Sequence, residues 1–433
     1  MAEPVGRAWL GSCLRWLAGA AALLAFPLGA SAATINGCGP LALAACEYQL
    51  ATTYTPDPPN LQQTIAYTDV TGATRSVNID VRRPASPPLP APLILWSHGG
   101  AGGRSDPTGV GMEIALPFIQ AGFVGVFLAH TPRTGAEIDA LCAQIGIAPV
   151  DCRSGICATD AQCTTASDEG ICVDGLCARI KHLSWDRPHD VDAVLDWLEL
   201  QAAGPLAGVI DLEKIVYAGH SAGAGATMMV AGATRQFAGV DTLLIDPRPM
   251  AFISASPQGP GDEDFTQDSF TGAGCLALAG DPSLCLTRPH LGLTGVGDDT
   301  AGQVAENRRV SFDLMPPGDK HLLWLLEEPA RHTTFEYKLE SCERYADDEM
   351  LDPTVFPARC ATYLVWLRSA MLAFLDAYVR DLPAAQAYLA SDNLAVLTGI
   401  AASAVPAFGP RWLAATGALL LLVGYLGWRR RGA

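Results

Sequence analysis

Ser221 sits in Gly219-His220-Ser221-Ala222-Gly223, after the apolar run Lys214 to Ala218 and before a small-residue stretch, Ala222 to Ala233, that reads as a helix. A serine between two such glycines is set up for nucleophilic chemistry. The turn from strand to helix is so tight that side chains on the flanking positions would collide with their neighbours. The turn lifts the hydroxyl above the sheet edge. The helix behind it aims free N–H groups and a positive dipole end at any negative charge that forms there.

A serine nucleophile needs a base, and the base needs a carboxylate. In the α/β-hydrolase arrangement they follow in the chain order Ser, Asp/Glu, His, at the carboxyl ends of strands. His321 and His332 compete for the base. His321 begins the last expected strand, at the amino edge of the sheet, and is expected to face solvent. His332 follows that strand by a short loop, Glu327 to Arg331, and is the choice. For the acid, Leu293 to Asp299 ends a strand in a Gly-rich turn, and Asp298 comes directly after it. Asp299 is its neighbour, and Asp262, Glu263 and Asp264 follow the preceding strand; all four stay open. His220 reads as packing. His290 precedes a strand, and His130, His182 and His189 lack triad spacing.

The developing oxyanion needs two donors. One is the N–H of Ala222, the residue after the nucleophile. Gly100, in His98-Gly99-Gly100-Ala101-Gly102-Gly103, is the second, because glycine lets the backbone approach substrate closely. Losing one such donor costs about 3 kcal/mol in the barrier. No Gly-Lys-Ser/Thr follows the glycines, which argues against a phosphate loop. The chemistry requires no metal and no organic cofactor.

The elements that must hold these residues alternate. Thr64–Thr68 and Arg75–Val81 read as a hairpin around Asp69–Gly72. Leu93–Trp96, Phe123–Leu128, Ile215–Tyr217, Met250–Ser254, Leu291–Val296 and Leu322–Leu326 read as further strands. Gly111–Ala121, His189–Leu200 and Cys360–Val379 read as helices, the second starting after Pro188. This alternation is the pattern of a mostly parallel central sheet with helices on both faces; together with the Ser221 turn, the expected fold is that of an α/β-hydrolase. Two inserts interrupt it, a Cys-rich one at 140–179 and a second at 259–288.

The chain has 433 residues, 28 basic and 45 acidic, for a formal net charge of −17. No basic cluster lies within the body, so nucleic acid is not an expected partner. Residues 1–32 read as a signal peptide: Arg7 and Arg15, an apolar core from Leu17 to Leu28, then Ala30-Ser31-Ala32. Cys13 lies in this leader, which leaves twelve of the thirteen cysteines in an exported body and points to disulfides. Cys38/Cys46, Cys275/Cys285 and Cys342/Cys360 read as local pairs, and the other six lie between Cys142 and Cys177. Their spacing is not that of a zinc site. Asp160, Asp168 and Asp174 read as solvated rather than calcium-binding. The catalytic body spans 33–400. In 405–433 a Pro-containing stretch precedes the apolar run Trp412 to Trp428 and Arg429-Arg430-Arg431. That reads as a sorting signal or a permanent membrane anchor with the body outside.

Trp96-Ser97-His98-Gly99-Gly100, Arg187-Pro188-His189-Asp190 through Leu195, the Ser221 turn, Pro316 to Lys320, and Arg331-His332-Thr333-Thr334-Phe335 occur in an order that resembles the bacterial dienelactone-hydrolase-like esterases. These are related to platelet-activating-factor acetylhydrolases and polyester hydrolases. The resemblance runs from about 62 to 380 and implies Ser221 as nucleophile and His332 as base. The last thirty residues resemble the PEP-CTERM-like sorting signals of bacterial surface proteins, which implies a C-terminal sorting peptidase as partner. The expected function is an exported serine hydrolase. It would cleave small-molecule or polymeric carboxylic esters through an acyl-enzyme. An amidase or peptidase, or a catalytically silent surface binding module, is the alternative.

Overall fold

A computed structural model describes residues 47–100, 102–163, 170–262, 264–300, 303–325, 330–338 and 356–390, with main chain only for 356–360. The leader, Cys38, Cys46, Asp168, Glu263, Cys342 and the segment 405–433 lie outside the described residues.

One eight-stranded sheet organises the chain. Its strands are β1 (Leu61–Thr68), β2 (Thr74–Arg82), β3 (Ala91–Ser97), β4 (Val124–His130), β5 (Ile210–His220), β6 (Ala251–Ala255), β7 (His290–Gly295) and β8 (Lys320–Leu325). Their spatial order is β1-β2-β4-β3-β5-β6-β7-β8. The β1–β2 hairpin is antiparallel, as is the β2–β4 pair, and every later pair is parallel. Asp69 makes the hairpin turn by accepting from the N–H groups of Thr71 and Ala73. Strands β3, β4, β6, β7 and β8 are buried along every residue, so both faces of this mostly parallel sheet are covered. The cover comes from α1 (Met112–Gln120), α2 (Gly135–Gln144), α3 (Lys181–Ala202), α4 (Ala222–Ala231), α5 (Ala305–Leu314) and α6 (Phe356–Tyr378).

The largest departure from expectation is α3. It begins at Lys181, not at His189, and carries Pro188 inside it. Proline costs a main-chain hydrogen bond there. The first turns hold anyway because His182, Leu183, Asp186 and Arg187 are buried by tertiary contacts.

The Cys-rich insert forms a small antiparallel sheet of Arg153–Ile156, Gly170–Val173 and Leu176–Arg179. Disulfides Cys142–Cys152, Cys157–Cys172 and Cys163–Cys177 crosslink it, and Cys275–Cys285 closes a loop in the second insert. The last is one of the local pairs expected from spacing. Four such bonds point to an oxidising or extracellular compartment. The sulfurs of Cys157, Cys163 and Cys172 lie close enough to share a metal ion, but all three are bonded to other sulfurs and offer no thiolate. Asp160 and Asp174 are exposed, as expected, and each also accepts a main-chain N–H, from Cys172 and Gly135. No helix among the described residues is long and apolar enough to cross a membrane.

Candidate active site

β5 ends at His220 and α4 begins at Ala222, so Ser221 is the whole turn between them. Its φ of 54° and ψ of −121° lie where a residue with a side chain is strained, at a cost of roughly 1–3 kcal/mol. The flanking glycines explain how the chain gets there. A Cβ on Gly219 would meet the Gly223 carbonyl at 2.5 Å, and one on Gly223 would run into the Ser97 carbonyl. Ser221 N–H is anchored on the Ala255 carbonyl at the end of β6, at 2.9 Å.

β7 and β8 deliver the other two residues to the same edge. Asp298 leaves β7 through a turn closed by its N–H on the Gly295 carbonyl. His332 opens the short helical turn His332–Glu336 that follows β8. His332 Nδ1 lies 2.8 Å from Asp298 Oδ1. The second carboxylate oxygen accepts from Ser256 Oγ at 2.7 Å and Thr294 Oγ1 at 2.6 Å. Arg308 Nε donates to the Asp298 main-chain oxygen and sits 3.3 Å from Oδ1. Burial pushes the Asp298 carboxyl up. The Arg308 guanidinium, His332 and Thr294 outweigh it and hold the group below its ordinary range. A buried, ionised, fully hydrogen-bonded carboxylate is what fixes an imidazole in one orientation and tautomer.

His220 ties the base to the nucleophile turn. Its Nε2 bonds the His332 main-chain oxygen at 2.9 Å, and the two rings pack with centroids 4.8 Å apart. Among the described residues no hydrogen bond joins Ser221 Oγ to the His332 ring. The His–Asp half is closed and the Ser–His half is open, a looseness common before substrate binds.

The glycine loop after β3 lies against this turn. A Cβ on Gly99 would stand 3.1 Å from the Ser221 Cβ. Gly100 has φ of 93°, a conformation natural only to glycine. The N–H groups of Gly99, Gly100 and Ala222 have no hydrogen-bond partner among the described residues. Unpaired donors beside a strained serine can receive an oxyanion. Gly99, part of the expected glycine run but not chosen there as the donor, thus joins the two expected donors. Ala222, Ile180 and Leu183 form a small apolar cluster beside it.

The alternatives are otherwise engaged. Asp299 accepts the Ala305 N–H at the start of α5. Asp262 accepts the Gly259 N–H, and Asp264 pairs with Lys181 at 2.9 Å. His321 is not a solvent-facing strand end: it is buried, and its Nε2 meets Tyr378 Oη at 2.6 Å. The histidines without triad spacing are buried except His189, and burial pushes His130, His182 and His220 down to about 4.

One arrangement escaped sequence reading. Ser97 Oγ lies 2.9 Å from His130 Nε2, and His130 Nδ1 lies 2.9 Å from Asp190 Oδ2. This second Ser–His–Asp set is fully buried. Ser97 also bonds Tyr217 Oη, and Asp190 also holds Arg75 and Tyr67. It has no route for substrate and braces the base of the glycine loop. A cavity of about 470 Å³ between β1 and α3, lined by Tyr67, Trp185 and Trp197 among others, contains none of the candidate catalytic residues. Geometry of reactive groups, not cavity size, marks the site.

No protein-family model and no curated protein matches this chain.

Proposed function

We propose that this chain is an exported serine carboxylester hydrolase of the α/β-hydrolase fold. The observation that carries the reading is the 2.8 Å contact of His332 Nδ1 with the buried Asp298 carboxylate, on the sheet edge that also bears the strained Ser221. Nucleophile, acid and base come after β5, β7 and β8, in the chain order Ser, Asp, His.

Ser221 Oγ attacks the ester carbonyl carbon while His332 Nε2 takes its proton. The carbonyl oxygen becomes an oxyanion facing the N–H groups of Ala222 and Gly100. Collapse breaks the ester bond, and the leaving alcohol takes the proton from His332. Water then attacks the acyl-Ser221 with His332 again as base, releasing the acid and restoring the serine. Asp298 holds the Nδ1–H tautomer throughout. Ile180 and Leu183 offer apolar contact beside the nucleophile. In this reading residues 1–32 are a cleaved signal peptide. The segment 405–433 is a membrane anchor or sorting signal recognised by a C-terminal peptidase.

The test uses residues 33 to 404 and a chain-length series of nitrophenyl esters, with Ser221→Ala as control. Turnover by the parent and its loss in the folded variant support the proposal. A parent that neither turns over esters nor reacts with a fluorophosphonate at Ser221 refutes it and favours a silent binding module. Turnover of amides alone makes the protein an amidase. Full-length protein in the membrane fraction supports the anchor. Soluble full-length protein with an intact tail contradicts both readings of 405–433.

A further inference from the structure

We propose that Arg187 is a positioning residue that sets which way the donor loop Gly99–Gly100 faces; the inference rests on the esterase reading above. Arg187 is completely buried in α3. Its Nη1 donates to the His98 main-chain oxygen, and its Nη2 donates to the Gly100 oxygen at 2.8 Å. The carbonyl between them, on Gly99, lies 2.7 Å from the His98 ring Nδ1. Three successive carbonyls are therefore held by the protein's own donors.

A trans peptide points its N–H opposite to its C=O. Holding the His98 carbonyl on Arg187 turns the Gly99 N–H to the other side. The His98 ring, by holding the Gly99 carbonyl, does the same for the Gly100 N–H, and Arg187 clamps that peptide from its far side through the Gly100 carbonyl. These are the N–H groups that lack a partner, in the loop whose Gly99 abuts Ser221. Glycine makes this loop pliable: each peptide could rotate at little steric cost and present a carbonyl oxygen to the developing oxyanion instead. The guanidinium fork, with donors in a fixed plane, suits the task because it grips two carbonyls at once. A lysine offers a single point of attachment. Arg187 touches no reacting atom; its effect runs through the loop.

Arg187→Met and Arg187→Lys test this in residues 33 to 404. Both should lower kcat by about 100-fold with KM little changed, the loss typical of one misplaced oxyanion donor. The readout that a merely structural role would not move is analogue binding. Affinity for a trifluoromethyl ketone, which forms a hemiketal oxyanion on Ser221, should fall in parallel with kcat/KM. Affinity for the product acid should not. Folded variants that keep parental kcat, or that lose both affinities equally, overturn the proposal. Should neither variant fold, the parent is observed by nuclear magnetic resonance with the ketone bound. Slowly exchanging Arg187 guanidinium protons and downfield shifts of the loop glycine amides are expected. Freely exchanging guanidinium protons overturn the proposal. A parent without ester turnover refutes the esterase reading instead, which keeps the two failures distinct.

Discussion

His220 Nε2 lies 2.9 Å from the main-chain oxygen of His332, so the residue before the candidate nucleophile holds the backbone of the candidate base. A carbonyl can only accept, so His220 carries its proton on Nε2. Burial drives its pKa down to about 4, with the nearby His332 adding to the effect, so the ring is neutral at physiological pH. The variable position of the nucleophile turn thus has a defined duty. His220→Ala should release the His332 turn and lower kcat by about 100-fold, as a displacement of about 1 Å in a reacting group can do. Steady-state kinetics on a variant with parental circular dichroism checks this; unchanged kcat would show the tether to be dispensable.

Asp298→Asn should keep the fold and lower kcat by about four orders of magnitude, because an amide can favour the wrong imidazole tautomer. Asp299→Asn removes only the charge from the group that accepts the Ala305 N–H and should leave kcat near the parent's. If the two variants trade places, the acid has been misassigned.

His321→Ala separates stability from chemistry. It removes a buried ring bonded to Tyr378 and should cost roughly 1–3 kcal/mol in urea unfolding. Ester turnover at low temperature should persist. Loss of turnover in a folded variant would move the base from His332 to His321.

Stability should fall as pH drops from 6.5 towards 4. Burial is the leading cause that holds His130, His182, His220 and His321 down to about 4 and His290 to about 3, against an ordinary value of 6.5. Within that window the unfolded chain binds more protons than the folded one, so stability rises with pH and is complete above 6.5. Asp298, whose carboxyl is held low, adds a further loss once pH falls below the ordinary carboxylate range. Urea midpoints across the window measure the slope; a midpoint that rises on acidification would contradict the burial of these rings.

Proteolysis without reduction, followed by mass spectrometry, should recover peptides joined as Cys142–Cys152, Cys157–Cys172, Cys163–Cys177 and Cys275–Cys285. Free thiol on any of these eight residues, or a different pairing within the insert, would refute the arrangement.

The residues that local pattern could reveal were the ones next to strand ends. Ser221 announces itself because Gly219 is dictated by a collision with Gly223 inside the same five residues, although Gly223 itself is dictated by the distant Ser97 carbonyl. Asp298 and His332 follow from counting strands and asking which edge each loop leaves. What stayed hidden is long-range. Nothing near Arg187 in the chain says that it grips carbonyls 87 and 89 positions earlier. Pro188 argued for a helix beginning beside it, and only the buried contacts of the preceding turns overrule that. The pairing within the Cys-rich insert likewise depends on a three-stranded register that spacing does not encode.

Ser97, His130 and Asp190 have a consequence for how enzymes are found in coordinates. A search that asks only for a hydroxyl, an imidazole and a carboxylate at hydrogen-bonding distance retrieves this set, with both its contacts at 2.9 Å, ahead of Ser221, whose contact to the base is open. Ranked by completeness of the relay, the walled-in copy wins, although no reagent can arrive there. The Ser221 set, in which the His332 ring keeps some exposure, is the less finished of the two because its last hydrogen bond stays open. Template searches of this fold would sort better on what remains unsatisfied than on what is already joined.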